Sequence, residues 1–115
     1  MANKNNEPGK KILHICSELE YRFAVKKVDG EFVIYKNLGN GYDIVVSGLD
    51  NGSKKINAII KVRLLYPETQ IVETTTDITS INQLDLLLII TVEKYLNMKD
   101  NTEYMNFLFG RKSEE

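Results

Sequence analysis

The sequence has few of the residues that build disulfide and metal sites. It contains one cysteine, Cys16, and one histidine, His14. A single cysteine cannot form an internal disulfide, which favours a reducing compartment. A zinc site usually needs four ligands in spaced pairs, so the His14–Cys16 pair has too few partners. We therefore predict no metal site and no cofactor.

Charge of one sign and long apolar runs are also lacking. The 15 basic and 16 acidic residues give a net charge of −1, so no overall field would attract nucleic acid or an anionic membrane. The longest apolar run, Leu86 to Ile90, falls far short of the about 20 residues that a membrane-spanning helix needs. Residues 1–9 lack the apolar core of a signal peptide. We expect a cytoplasmic protein with no membrane contact.

Recognisable catalytic motifs are missing too. The glycines at 39 and 41 belong to a turn, and no Walker loop with its GKS or GKT ending is present. The carboxylates are scattered and form no pair at a spacing typical of acid–base catalysis. We predict no catalytic residue, and a binding or regulatory protein is favoured over an enzyme.

The composition is that of one globular domain. Apolar residues make up 43% of the 115 residues and charged residues 27%, which is enough to bury a single core. We predict a flexible tail at 1–9, an α+β domain at 10–99, and an apolar C-terminal segment with a polar end at 100–115. The many Asn, Lys, Ile and Tyr residues have AT-rich codons, which suggests a bacterial, phage or mobile-element accessory factor.

Alternating apolar residues and turn signals predict an antiparallel meander of four to five strands. Asp29-Gly30 separates two β-rich runs at 21–28 and 31–37, which is a strong hairpin signal. Further strands are predicted at 42–49, 56–64 and, at an edge, 69–76. Short connections make consecutive strands antiparallel neighbours.

Two helices complete the predicted fold. Residues 10–20 have apolar side chains at helical spacing, although a short Ile-rich strand is the alternative. Residues 80–98 begin with Ser80-Ile-Asn-Gln83, which matches a capping box, and an apolar run follows. A strand at 86–92 is the alternative there. The sheet is expected to pack against this C-terminal helix.

A helical wheel of residues 80–98 predicts one broad core face. Its members are Ile81, Leu84, Leu87, Leu88, Val92, Tyr95 and Leu96. Leu86 and Ile90 lie on the opposite, otherwise polar face. Either another segment of the chain covers them or they form a self-association surface.

The C-terminal segment bears on the same question. Tyr104, Phe107 and Phe109 are the aromatic residues of an apolar stretch that follows the helix. Such a stretch should fold back on its own domain or dock on a second chain. We therefore predict a homo-oligomer or a protein partner, with Leu86, Ile90 and these three aromatic residues at the interface.

The outer face of the sheet provides the alternative function. The inner face should carry Tyr21, Phe23, Phe32, Ile34, Ile44, Val46, Ile60 and Val62. The opposite face would then present Arg22, Tyr35, Lys61 and Arg63. Basic side chains beside an aromatic ring can bind single-stranded nucleic acid or an anionic small ligand. A merely solvated outer face has the same alternation.

Overall fold

The computed structural model describes residues 7–98. The predicted tail at 1–9 lies mostly outside this range, and the segment at 100–115 lies wholly outside it. The elements, in chain order, are α1 (Lys10–Glu18), β1 (Ala24–Val28), β2 (Glu31–Asn37), β3 (Tyr42–Ser47), β4 (Ala58–Leu64), β5 (Gln70–Ile78) and α2 (Ile81–Leu96). The strands form one antiparallel sheet in the order β1-β2-β3-β4-β5. The predicted α+β meander is therefore confirmed.

The first hairpin turns at the predicted Asp-Gly pair. Asp29 has a φ of 53° and Gly30 a φ of 84°, which are the positive values that a type I′ turn requires. The first strand starts later than predicted, because Glu20 and Tyr21 also have positive φ and turn the chain after α1. Tyr21 is consequently 74% exposed, so its predicted place in the core is wrong.

The N-terminal segment is a helix, as predicted, and packs against β1 and β2. Its apolar side chains lie at helical spacing and join the core beneath the sheet. These side chains are Ile12, Ile15 and Cys16, followed by Leu19 in the C-cap position. The strand alternative at 10–20 is thereby excluded.

The second helix starts as its sequence predicts, with one difference. The Ser80 hydroxyl accepts a hydrogen bond from the Gln83 backbone N–H at 3.1 Å. The Gln83 side chain does not return this bond to Ser80, since its Oε1 accepts from the Thr79 N–H at 2.9 Å. The cap thus satisfies two backbone donors, but the second one lies one residue earlier than in a capping box.

Both helices cover the same face of the sheet. The core cluster includes Ile34, Ile44, Val46, Ile60 and Val62 from the strands and Leu84, Leu88 and Tyr95 from α2. At the C-terminal end of α2, the Tyr95 ring meets the Tyr42 ring edge-on, with 4.8 Å between their centroids. The predicted core face of α2 holds except at Leu96, which is 49% exposed. Thr91 is buried in its place, and its hydroxyl donates to the Leu87 carbonyl oxygen at 2.7 Å.

Candidate functional site

The outer face of the sheet brings together three of the four predicted ligand-binding residues. Val45 in β3 pairs with Tyr35 on β2 and with Lys61 on β4, and Arg63 follows Lys61 on the same face. Arg22 lies elsewhere, because the chain is still in the α1–β1 connection at this residue.

The side chain of Arg22 bonds to the helices rather than lying on the outer face. Its Nε donates to the Leu19 carbonyl oxygen at 2.8 Å, and its Nη2 forms an ion pair with Asp85 of α2. Arg22 therefore links the end of α1 to α2. The predicted place of Arg22 on the outer face of the sheet is wrong.

A buried carboxylate organises the remaining outer-face residues. Asp43 in β3 is 1% exposed and lies opposite Arg63 in the ladder. Arg63 donates two hydrogen bonds to the Asp43 carboxylate, from Nε to Oδ1 at 2.8 Å and from Nη2 to Oδ2 at 2.6 Å. The hydrogen bonds that Arg63 donates to Asp43 raise the pKa of Arg63, despite the opposing effect of burial. Burial, then the charge of Asp43 and a hydrogen bond with it, raises the pKa of Tyr35.

This arrangement leaves little of the predicted site free for a ligand. Lys26 of β1 places its Nζ 4.2 Å from the centre of the Tyr35 ring, so one stacking face is already occupied. The charge of Arg63 is neutralised by its ion pair with Asp43. Within residues 7–98, Lys61 is the one member of the predicted set without a hydrogen-bond or ion-pair partner. The pair of Arg63 with Asp43 was not visible in the sequence, because the two residues become neighbours only through the register of β3 and β4.

A second candidate site is the outward face of α2, which carries four exposed apolar side chains. Leu86 is 58% exposed, Ile89 46%, Ile90 52% and Leu96 49%. These four residues are named the α2 surface below. Leu86, Ile89 and Ile90 lie away from the buried Leu84, Leu88 and Tyr95, and Leu96 lies at the side of the same face. The other predicted interface residues, Tyr104, Phe107 and Phe109, lie outside the described residues.

Charged side chains on both flanks of the α2 surface are paired within the chain. Asp85 binds Arg22 on one side. On the other side, Glu73 of β5 accepts hydrogen bonds from the Lys94 Nζ at 2.8 Å and from the Tyr95 hydroxyl at 2.6 Å. Burial and the bond to Glu73 raise the pKa of Tyr95, and the bonds from Lys94 and Tyr95 lower the pKa of Glu73. These contacts fix the helix to the sheet and keep its outward face in place.

The lowered pKa of Glu73 predicts a pH-dependent part of the stability. A carboxyl whose pKa is lower in the folded state stabilises the fold above its unfolded pKa, and this contribution is lost as the pH falls through the folded pKa. We expect Glu73→Gln to lower the free energy of unfolding by about 1 kcal/mol at pH 7, since a partly exposed charged hydrogen bond is lost. Urea unfolding at pH 7 and pH 3 measures this, and the difference from the wild type should shrink at pH 3. Glu68→Gln, at an exposed loop position, is the matched control. An equal loss at both pH values would contradict the prediction.

A groove of about 640 Å³ lies between the start of α1, the β1–β2 turn and the β3–β4 connection. Its walls are held by internal bonds. The Lys11 Nζ donates to the Asn51 Oδ1 at 2.7 Å and to the Lys55 carbonyl oxygen at 2.9 Å, and the Asp50 Oδ2 accepts from the Phe32 N–H at 3.0 Å. Acidic and basic residues both line it, so its charge favours no one class of ligand.

Comparison with protein-family models, with curated proteins and with solved structures gave no match. The function must therefore be inferred from the chain itself. Within residues 7–98, no three His, Cys, Asp or Glu side chains cluster in a way that could hold a metal ion. Neither α1 nor α2 is long and apolar enough to cross a membrane.

Proposed function

We propose that this chain is a small non-enzymatic binding protein that works as a homo-oligomer and associates through the α2 surface. The observation that carries the proposal is the set of four apolar side chains, each about half exposed, along one outward face of α2. Single exposed apolar residues are common on protein surfaces, but a contiguous row of them is typical of an interaction site.

The row follows the geometry of a helix that packs against another helix. Ile89 and Ile90 follow Leu86 by three and four residues. Leu96 follows Ile89 by seven residues, which is about two turns. This spacing is the one that brings side chains to the same helical face. Leu13 on α1 has a similar exposed fraction, but it has no exposed apolar neighbour on its own helix.

The gain from covering the α2 surface supports a weak dimer. Burying the exposed half of a Leu or Ile side chain stabilises by about 1 kcal/mol. Eight such side chains, four from each copy, contribute about 8 kcal/mol before the cost of association is subtracted. Because that cost is at least about 4 kcal/mol, the α2 surface alone leaves at most about 4 kcal/mol, which corresponds to a dissociation constant of about 1 mM or weaker. A tighter dimer would need further contacts, such as those predicted for the C-terminal segment.

Pairing of sheet edges is a less favourable route to self-association. The β1 edge carries Lys26 and Lys27, and lysine on an edge strand opposes pairing with another chain. The β5 edge is irregular near both ends, and Asp77 has a φ of 64° there. Bulges of this kind also protect an edge strand.

Light scattering after size-exclusion chromatography tests the proposal at protein concentrations up to about 1 mM, which is about the dissociation constant expected from the α2 surface alone. The wild type should move from monomer towards dimer as the concentration rises. Leu86→Asp and Ile90→Asp should hold it as a monomer, because each variant places a charge in the apolar contact. Leu13→Asp adds the same charge at a similarly exposed leucine of α1 and should leave the dimer intact.

A wild type that stays monomeric at the highest concentration would overturn the proposal. So would a dimer that Leu86→Asp and Ile90→Asp leave unchanged. Phe107→Asp extends the test to the predicted contribution of the C-terminal segment, and a weaker dimer is the result that supports it.

The alternative function is binding of an anionic small ligand or single-stranded nucleic acid on the outer face of the sheet. The absence of a partner for Lys61 among the described residues favours it, whereas the Arg63–Asp43 pair does not. Salt separates the two proposals. Phosphate contacts weaken steeply as salt rises, and apolar self-association does not.

A further inference from the structure

We infer that Asn51 is a self-modification site, at which the backbone nitrogen of Gly52 converts the asparagine side chain to an acid without an enzyme. The inference does not depend on the proposed self-association. Asn51 is exposed in the β3–β4 connection, and Gly52 follows it directly. An asparagine loses its side-chain amide when the next backbone nitrogen attacks its Cγ atom. Glycine obstructs this attack least, because it has no Cβ and its backbone moves most freely.

The reaction needs water as its one co-reactant and releases ammonia. The Gly52 nitrogen forms a bond to the Asn51 Cγ and gives up its proton. The bond from Cγ to Nδ2 breaks, and Nδ2 leaves as ammonia with that proton. One water molecule then opens the cyclic imide. Opening at Cγ leaves an aspartate in an ordinary backbone, and opening at the main-chain carbonyl leaves an isoaspartate, in which the chain continues through Cγ.

Two hydrogen-bond donors are already aimed at the oxygen that becomes charged in this attack. The Asn51 Oδ1 accepts from the Lys11 Nζ at 2.7 Å and from the Ser53 backbone N–H at 3.1 Å. Lys11 is fixed in this place by a second bond, from its Nζ to the Lys55 carbonyl oxygen at 2.9 Å. Attack on an amide carbon moves negative charge onto the amide oxygen, and donors held in position stabilise that charge in the transition state.

The surroundings of Gly52 also leave room for the cyclic imide. A Cβ built on Gly52 would meet no atom within 4 Å. The bond that must break is the one from the Asn51 Nδ2 to the Gly48 carbonyl oxygen, at 3.0 Å. The Lys11 contact is made with Oδ1, which remains in the ring, so the reaction does not remove its acceptor.

The other Asn–Gly pair of the chain, Asn40-Gly41, is held against the same reaction. The Asn40 Nδ2, which would have to leave, donates to the Tyr95 carbonyl oxygen of α2 at 2.8 Å. The Gly41 carbonyl oxygen accepts from the Leu65 N–H at 2.9 Å, so the glycine is fixed to the end of β4. Reaction at Asn40 therefore requires local opening between α2 and the sheet, which costs free energy.

Conversion of Asn51 would change the charge of the groove that it lines. Glu7 and Asp50 balance Lys10 and Lys11 in this groove. A carboxylate at position 51 lies beside the Lys11 ammonium and leaves the groove with an excess of negative charge. The modification therefore shifts the groove towards cationic ligands as the protein ages.

Peptide mass spectrometry of the full chain after incubation at neutral pH tests the inference. Trypsin cleaves after Lys36 and Lys54, so both Asn–Gly pairs fall in the peptide 37–54. Fragmentation assigns the mass gain of the amide-to-acid change to one asparagine, and an unincubated sample corrects for conversion during digestion. In the folded chain Asn51 should convert about tenfold faster than Asn40, because hydrogen bonds protect the latter. In urea the two rates should become similar.

Three variants test the parts of the arrangement. Gly52→Ala keeps Asn51 and its contacts and should slow its conversion by about tenfold, because a Cβ obstructs the attacking nitrogen. Lys11→Met keeps the apolar stem and should slow conversion by about threefold, the effect of losing an exposed charged hydrogen bond. Lys10→Met removes the same charge from the neighbouring exposed lysine and should leave the rate unchanged.

Equal rates at Asn40 and Asn51 in the folded chain would overturn the inference. So would conversion of Asn51 that is slower in the folded chain than in the free peptide 37–54. Unchanged or faster conversion in Lys11→Met, with Asn40 still protected, would overturn the role of Lys11. If Asn40 also reacts faster in that variant, its fold has loosened, and the rate in Gly52→Ala decides.

Discussion

Replacing Arg63 with alanine is expected to lower the free energy of unfolding by about 3–5 kcal/mol, which is a large part of the stability of a domain of this size. The reason is what the substitution leaves behind. Asp43 is 1% exposed, and both of its oxygens accept hydrogen bonds from Arg63. Without the guanidinium, a buried carboxylate must either remain charged in an apolar surrounding or take up a proton.

Urea or thermal unfolding of Arg63→Ala beside Lys61→Ala measures this effect. Lys61 lies on the same face of the same strand and has no partner among residues 7–98, so its loss should change stability by less than about 0.5 kcal/mol. In an Asp43→Asn background the cost of Arg63→Ala should fall, because no buried charge is left unpaired. Equal losses for the Arg63 and Lys61 variants would show that the pair contributes little.

The same comparison decides how the outer face is interpreted. A large loss on removal of Arg63 assigns this residue to the stability of the sheet and not to a ligand. Lys61 is then the remaining cation of the predicted site. A face with one free lysine and a Tyr35 ring already covered by Lys26 is a poor platform for nucleic acid, which requires several phosphate contacts and open aromatic rings.

Leu88→Ala is expected to destabilise the fold by about 2–5 kcal/mol, while Leu86→Ala should cost less than about 0.5 kcal/mol. The two leucines lie two residues apart on α2. Leu88 is fully buried in the core, so its truncation leaves a cavity, whereas Leu86 is 58% exposed. Unfolding at about 1 µM protein measures both variants below the expected dissociation constant, where dimer formation adds nothing to stability.

For self-association, we expect the larger effect from Leu86→Ala and the smaller one from Leu88→Ala. Leu86→Ala removes part of the α2 surface and should weaken the dimer in light scattering. A folded Leu88→Ala protein should retain it. If Leu86→Ala destabilised the monomer as much as Leu88→Ala does, the orientation of α2 described above would be wrong, and the proposed function would lose its basis.

Local chemistry explains why most elements were predictable. Asp29-Gly30 requires a tight turn with positive φ at both residues, and the alternation of apolar residues on each side sets which face is buried. Ser80 starts α2 through a bond to a residue only three positions away. Signals of this kind depend on neighbours along the chain, and therefore they can be recognised in the sequence.

The errors of prediction have a common origin in contacts between distant residues. Tyr21 and Arg22 continue the alternating pattern of the first strand, but the turn that ends α1 removes both from it. Arg22 then meets Asp85, which is 63 residues further on. Leu96 belongs to the apolar arc of its helix, yet it is 49% exposed, while Tyr95 and Met98 on either side of it pack against the core. No periodicity encodes where one element ends against another.

The two candidate sites also differ in whether they depend on one element or on contacts between elements. The exposed Leu86 and Ile90 could be predicted because the wheel of a single helix places them opposite its core. The ion pair of Arg63 with Asp43 could not be predicted, because Asp43 lies on a neighbouring strand and becomes buried only when the sheet forms. The strand order, both helices and the apolar outward face of α2 follow from local turns and periodicity, so they could be predicted from the residues alone. Which charges are neutralised could not, because ion pairs depend on distances between elements that come together only when the chain folds.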